Sequence, residues 1–293
     1  MSKMYDAIVI GAGPAGLTAA IYLKRADLNI CVIENDTPGG ELNKIWKVGN
    51  YPGYESIDGP TLAYNIFNQV SELGVEYIYD NIDSIDTTNN IINIKDNKLK
   101  YKYLLVATGR RPRGLGIENE DKLIGKGISY CALCDGNLYK DRDVVIVGGG
   151  NTALNDAIYL SNICKKVTIV HRSNEYNGER STIDKTYKDN IDRYMNANVV
   201  KYNLKDDELI SVTLDNGKEI SCSGVFLAVG SIPNSELLDV DKNHGYIKVD
   251  NNYKTSIDNI YAVGDVIDKK IYQLTTASGD ATIAACNIID NLK

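Results

Sequence analysis

The stretch Asp6-Ala7-Ile8-Val9-Ile10-Gly11-Ala12-Gly13-Pro14-Ala15-Gly16-Leu17 decides the fold of this 293-residue chain. An apolar run of strand length ends on glycines spaced Gly-x-Gly-x-x-Gly, and a helical pattern follows. Gly11 turns the chain, Gly13 lets the backbone approach a diphosphate, and Gly16 lets helix and strand pack closely. The helix N-terminus then faces phosphates with unpaired N–H groups. A lone glycine motif says little, but here Cys31-Val32-Ile33-Glu34 ends a second strand on a carboxylate able to hold a ribose hydroxyl pair.

Moving outward, the pattern returns at an offset of 137 residues, from Asp6 to Asp143, as Asp143-Val144-Val145-Ile146-Val147-Gly148-Gly149-Gly150-Asn151-Thr152-Ala153-Leu154. The likeness runs on into a shared Ala-Ile-Tyr-Leu at 20–23 and 157–160. The expected fold class is therefore α/β, with two Rossmann-like, three-layer dinucleotide-binding domains, one inserted in the other. Boundaries fall at 1–112 with 232–293 for the outer domain and 115–229 for the inner one. Arg110 to Gly116 and Ser231 to Asn234 read as the two crossings, and two crossings make a hinge possible.

Other segments are read more locally. Leu62, Ile66, Val70 and Leu73 repeat at helical spacing between Pro60 and Gly74. From Val75 to Tyr103 short β-rich pieces alternate with Asn/Asp turns, as in a small antiparallel layer. Leu104 to Val106 is a buried strand leading to Ala107-Thr108-Gly109. Ile260 to Val263 is another, delivering Gly264-Asp265.

Near the middle lies Tyr130-Cys131-Ala132-Leu133-Cys134-Asp135-Gly136. Two thiols so spaced close into a small ring and open again, as a redox centre requires. Zinc would need a second pair. The other cysteines, Cys31, Cys164, Cys222 and Cys286, are scattered and read as buried small apolar residues, and the chain has two histidines. No metal is expected. Hydrophobic content of 43% and charged content of 24% suit a soluble globular protein. The net charge of −7 argues against general nucleic-acid binding. No apolar run reaches membrane-spanning length, and the start runs into Ala7-Ile8-Val9-Ile10 without room for a signal peptide. The expected compartment is the cytoplasm, where an isolated disulfide is usually catalytic.

Taken in order, these pieces resemble the low-molecular-weight thioredoxin reductases, flavoproteins of the pyridine nucleotide-disulfide oxidoreductase class. The resemblance rests on Gly11 to Gly16, Gly39-Gly40-x-Leu42, Asn50-x-Pro52-Gly53, Ala107-Thr108-Gly109, Cys131-x-x-Cys134-Asp135, Gly264-Asp265 and Gln273. It implies FAD on the outer domain. Gly11, Gly13, Pro14, Ala15 and Gly16 would hold the diphosphate, Glu34 the adenosine ribose, and Asn50 the flavin region. Asp265 would hold the ribityl chain, with Gly40, Glu41, Leu42, Ala107, Thr108, Gly109, Gly264 and Gln273 around the cofactor. Ala281, after Gly279-Asp280, would begin a helix near the flavin. Two substitutions stand out against the family: Glu41 for its glutamine, and Tyr272 for the arginine before Gln273. The resemblance also implies that Cys134 meets the flavin and Cys131 attacks thioredoxin. Asp135 would serve as general acid, or as a helix cap. The inner domain would rotate between the two encounters, and the assembly would be a homodimer.

One departure matters for the electron donor. Family members that use NADPH carry His-Arg-Arg-x-x-x-Arg after the second strand of the inner domain, whereas this chain reads His171-Arg172-Ser173-Asn174-Glu175-Tyr176-Asn177. Two of three arginines are gone, Glu175 and Glu179 add negative charge, and Arg180 comes three positions late. His171 also stands where Glu34 stands in the first copy, so the acid expected for NADH is missing. The stretch from Ala197 to Leu227 leaves little room for a strand meander. The resemblance thus leans to the ferredoxin-dependent flavin thioredoxin reductases of anaerobic bacteria. An NADPH-driven enzyme with a relaxed site is the alternative, and a flavin-bound scaffold is a third reading that the complete exchange site disfavours. A peroxiredoxin-type disulfide is a further possible substrate. Arg110, Arg111, Arg113, Lys165 and Lys166 are candidates for docking an acidic ferredoxin.

Overall fold

The structure is a computed structural model that describes residues 3–45 and 48–293. Met1 and Ser2, part of the start read as leaving no room for a signal peptide, lie outside them. The chain divides into two compact units, one of residues 1–111 with 232–293 and one of residues 112–231.

The first unit opens with β1 (Lys3–Ile10), α1 (Pro14–Arg25) and β2 (Ile30–Glu34). Next come α2 (Gly59–Glu72), β3 (Glu76–Tyr79), β4 (Ser84–Asp86), β5 (Ile91–Ile94) and β6 (Asn97–Val106). The strands lie in the order β3-β2-β1-β6-β5-β4. β1 is central and parallel to both neighbours, with Ile10 opposite Ile33 on one side and Val106 on the other. Alternate residues of β1 point to opposite faces, so Val9 joins the core beneath the helices while Ile8 and Ile10 join the core on the far side. Burial on both faces explains why the run is continuously apolar. The expected small antiparallel layer is not a separate layer. β6 is ten residues long, so β5 pairs antiparallel along its first half, β4 pairs antiparallel with β5, and both extend the main sheet. α2 follows the expected pattern: Asp58 accepts the Thr61 N–H at 2.8 Å as N-cap, Leu62 and Val70 are buried, and Gly74 leaves at φ +70°.

The outgoing crossing contains β7 (Arg110–Pro112). The second unit then runs α3 (Glu120–Leu123), β8 (Ile128–Ser129), α4 (Ala132–Asp135), β9 (Asp143–Val147), α5 (Asn151–Leu160) and β10 (Lys166–His171). It continues with α6 (Arg180–Lys185), β11 (Ile191–Met195), β12 (Val199–Lys205), β13 (Glu208–Leu214), β14 (Glu219–Ser221) and β15 (Gly224–Leu227). Five parallel strands lie in the order β11-β10-β9-β15-β8. Beside them β12, β13 and β14 form an antiparallel meander, which corrects the reading that the segment was too short for one. The space is saved at the turns. Asp206 and Asp207 both take left-handed φ, +51° and +64°, so two residues close the first hairpin; Gly217 at φ +82° shortens the second.

The return crossing contains β16 (Ser231–Pro233), which pairs with β7. A short hairpin of β17 (Lys242–Asn243) and β18 (Tyr246–Ile247) follows, then β19 (Ile260–Ala262) and α7 (Leu274–Leu292). β19 lies parallel to the second half of β6, with Tyr261 opposite Leu105. α7 packs on α1 through small residues, Ala19 and Ala20 with Ala281, Ala284 and Ala285 in one core.

Glu120 is a buried carboxylate with a clear structural task. It accepts the Leu115 N–H at 2.9 Å and the Tyr202 hydroxyl at 3.0 Å, fixing the start of the second unit onto β12. Replacing Glu120 with Ala leaves both donors buried and unpaired. The expected loss is about 2–4 kcal/mol of stability, read as a lower urea midpoint together with faster amide exchange at residues 115 and 116.

Candidate active site

The sulfurs of Cys131 and Cys134 are joined as a disulfide. Cys131 is the N-cap of α4 and its Sγ accepts the Cys134 N–H at 3.1 Å. Such a donor stabilises a thiolate at Cys131 when the ring opens. Cys131 is half-buried and Cys134 exposed. α4 lies against α5 because residue 136 is glycine: a Cβ there would come within 2.8 Å of Leu160 Cδ2 and 3.1 Å of Tyr159 Cε1. Asp135 is bonded by its own N–H to the Cys131 carbonyl at 3.1 Å, and its Oδ2 accepts the Ser129 hydroxyl at 2.7 Å. The sequence reading missed Ser129. Leu138, four residues after Cys134 in the chain, is 66% exposed.

In the first unit the glycine turn is built as its spacing requires. Gly11 has φ +99°, and a Cβ on it would lie 2.4 Å from the Ala107 carbonyl oxygen. A Cβ on Gly16 would lie 1.8 Å from the Gly11 oxygen, so turn and helix are in backbone contact. A Cβ on Gly13 would meet nothing within 4 Å. The space in front of α1 is therefore open, and no side chain caps its N-terminus. Pro14 and Ala15 are the first helical residues there. Gly39 and Gly40 come alongside: the Gly39 N–H donates to the Ala12 carbonyl at 2.7 Å, and a Cβ on Gly40 would stand 3.4 Å from Gly13 Cα. Glu34 accepts the Ala12 N–H at 2.6 Å, which sets its carboxylate at the mouth of the cradle.

Asn50 donates through Nδ2 to the Gln273 side-chain oxygen at 2.9 Å, so these two predicted residues meet. Gln273 forms a capping box with Thr276 that begins α7. The helix therefore starts well before Ala281, which is fully buried in the α1–α7 core and does not open a helix near a ligand. Asp265 follows Gly264 on a tight turn and pairs with Arg110 Nε at 3.1 Å and Lys269 Nζ at 3.8 Å. Burial raises its pKa, and the two cations oppose that rise. Lys269 also binds the buried Asp280 at 2.7 Å. The Arg110 guanidinium lies 4.6 Å from the Tyr272 ring centre, so a cation stands beside the position where the family's arginine is missing. Glu41 is paired with Lys44 at 2.6 Å and Leu42 is buried. Thr108 is engaged within the chain: its hydroxyl donates to the Asn234 carbonyl at 2.5 Å, and Asn234 Nδ2 donates to its carbonyl at 2.9 Å. Of the residues weighed for ferredoxin docking, Arg110, Arg111 and Lys166 are ion-paired with Asp265, Glu236 and Asp192. Among the isolated cysteines, Cys31, Cys164 and Cys222 are buried, but Cys286 is exposed on α7 and corrects the expectation.

The second glycine turn keeps its shape and, of the family's three arginines, only Arg172. Gly148 repeats the backbone contact, with a Cβ placed 2.4 Å from the Ala228 oxygen. The His171 ring lies against Gly149, within 2.3 Å of a Cβ built there, and its Nε2 donates to the Glu175 carbonyl at 3.0 Å. Burial lowers the His171 pKa, so the imidazole is neutral at pH 7. The loop beyond is tied to the turn by Asn177 N–H to Gly149 at 2.8 Å and Glu179 N–H to Asn151 Oδ1 at 2.7 Å. Arg180 is turned to Asp184 at 3.3 Å.

Residues 5–281 match the family of pyridine nucleotide-disulphide oxidoreductases. The chain belongs to that family. It is 37% identical over 296 residues to a thioredoxin reductase of Listeria innocua, covering 97% of this chain and 93% of the relative. In structure it is similar to a thioredoxin reductase of Lactococcus lactis, with 33% identity, a TM-score of 0.92 and 98% of each chain covered. It is also similar to a ferredoxin-flavin thioredoxin reductase of Clostridium acetobutylicum, with 28% identity, a TM-score of 0.56 and coverage of 100% of this chain and 99% of the other. The chain is thus a flavoprotein disulfide reductase of the thioredoxin reductase kind, and its cofactor is FAD. The open cradle at Gly13, the uncapped helix and the Glu34 carboxylate fit an adenine dinucleotide.

Gly13 and Gly16 separate binding from folding in this flavoprotein. Gly13→Ala is expected to change the stability of the FAD-free chain by less than about 1 kcal/mol while sharply lowering flavin bound per chain. Gly16→Ala is expected to disrupt the unit itself. Thermal unfolding and flavin absorbance of the purified variants distinguish the two.

Proposed function

We propose that this reductase takes electrons from reduced ferredoxin and passes them, through FAD on the first unit and Cys131–Cys134 on the second, to the disulfide of thioredoxin. The observation that carries the choice of donor is the second glycine turn. A 2′-phosphate needs several arginines, whereas this stretch keeps one of the family's three, the exposed Arg172, beside a neutral buried His171, exposed Glu175 and Glu179, and an Arg180 paired with Asp184. Similarity alone does not favour ferredoxin, since the Listeria relative is the more similar in sequence. A second reading, NADPH as donor, has one observation in its favour: a Cβ on Gly150 would meet nothing within 4 Å, so the space before α5 is open as it is before α1.

FAD, when bound, supplies the electron pair that opens the disulfide, and two protons complete the dithiol. Cys131, whose thiolate the Cys134 N–H stabilises, attacks one sulfur of thioredoxin. That breaks thioredoxin's S–S bond, and the departing thiolate takes a proton. Cys134 then attacks Cys131 Sγ, restores the ring and releases the second thioredoxin sulfur, which takes the other proton. Asp135, next to Cys134 in the chain and bonded through its own N–H to the Cys131 carbonyl, carries protons between the thiols and the leaving sulfurs.

The deciding experiment is anaerobic titration of the holoenzyme followed by its visible flavin spectrum. Reduced ferredoxin is expected to bleach the flavin, and oxidised thioredoxin to restore the colour, while NADPH and NADH leave it unchanged. Rapid bleaching by micromolar NADPH would establish the second reading instead. Cys134→Ser is expected to retain FAD and to lose thioredoxin reduction by more than about 1000-fold; turnover at the wild-type rate would remove the assigned site.

A further inference from the structure

We propose that Ser129 is a positioning residue for disulfide exchange, fixing Asp135 and the Cys131 backbone with one hydroxyl group. The inference rests on reading Cys131 and Cys134 as the working dithiol. Ser129 ends β8 and is 4% exposed. Its Oγ accepts the Cys131 N–H at 3.0 Å and donates to Asp135 Oδ2 at 2.7 Å. Its other possible acceptor, the Cys131 carbonyl, is farther away at 3.3 Å. A charged carboxylate is the stronger acceptor, so the single hydroxyl hydrogen goes to Asp135.

The consequence is a fixed geometry. Asp135 is held at its backbone by the Cys131 carbonyl and at Oδ2 by Ser129, which leaves Oδ1 for proton traffic. Because β8 pairs with β15, Phe226 opposite Ser129, the hydroxyl is anchored in the sheet rather than in the short helix that carries the thiols. In the closing step Cys134 gives its proton to Asp135 and its sulfur bonds Cys131 Sγ. The bond from Cys131 Sγ to the partner's sulfur breaks, and that thiolate takes the proton from Asp135. The acid ends as it began. A carboxyl group free to swing would be out of reach for part of the time, and the proton step would slow.

The test uses FAD-loaded enzyme reduced chemically and mixed with two small disulfides in a stopped-flow instrument. Hydroxyethyl disulfide releases a basic alkyl thiolate that needs a proton, whereas an aromatic disulfide such as dithiobis-nitrobenzoate releases a thiolate stable without one. Ser129→Ala is expected to slow the first reaction about 10-fold and the second less than about 2-fold. In an Asp135→Asn background, Ser129→Ala is expected to add less than about 2-fold, because the two residues act as one unit. Ser129→Thr and Ser129→Val form a second pair, alike in shape and differing in the hydroxyl, should the alanine variant fail to fold. Equal slowing with both disulfides, full additivity with Asp135→Asn, or no effect at all would overturn the proposal. Thioredoxin as third substrate keeps the two ideas apart. If the reading of the enzyme is wrong, wild-type enzyme itself fails with thioredoxin while the contrast between the small disulfides persists.

Discussion

Both units depend on the same backbone contact, made where a parallel strand turns into a helix. At Gly11 and at Gly148 a Cβ would fall 2.4 Å from a carbonyl oxygen of the neighbouring strand's end, Ala107 in one unit and Ala228 in the other. A side chain at either position would push the neighbouring strand's end away from the turn, and the loops that bear function would lose their common edge. The two copies differ at the third position. Gly16 sits against the Gly11 oxygen and tolerates no Cβ, whereas Ala153 brings a Cβ to the equivalent place. The first helix thus approaches its turn more closely than the second does.

That contact also explains why so much of the fold could be read from the chain alone. Glycine spacing, the apolar run before it and the helical pattern after it are local signals with one steric cause, and they recur at Asp143. Glu34, Cys131, Cys134 and Asp135 are local signals too, Glu34 by its place at the end of the second strand and the others by the spacing of the two thiols and the acid after them. The misread segments fail for a different reason. The meander between Val199 and Ser221 was judged by length, yet Asp206 and Asp207 in left-handed conformation turn the chain in two residues. The resemblance placed Ala281, after Gly279-Asp280, at the start of a helix, but the Gln273–Thr276 capping box starts α7 well before it. Cys286 lies beside buried Ala284 and Ala285, and only the helical phase turns it to the surface.

The electrostatics of the site were the least legible part. Arg110 was read as one of several linker charges, but folding brings it to Asp265, more than a hundred residues away, and over the ring of Tyr272. Thr108 sits in a motif associated with the cofactor, yet Asn234 uses both its hydroxyl and its carbonyl. Ser129 precedes the cysteines as an unremarked hydroxyl and proves to be the partner of Asp135. Such pairings are long-range or hinge on a single rotamer, and neither periodicity nor spacing encodes them.

The second glycine turn separates two demands that a dinucleotide fold ordinarily meets together. Packing demands small residues where strand, turn and helix touch, and Gly148 and Ala153 still meet it. Recognition demands charge at the end of β10, where a neutral His171 now lies against the turn and the following loop is bonded to Gly149 and Asn151. A substitution at a packing glycine would cost the whole unit, whereas a substitution at a phosphate arginine costs only the ligand. On the ferredoxin reading, loss of nucleotide binding would remove arginines before packing glycines; this chain keeps the turn and one arginine of the family's three, Arg172.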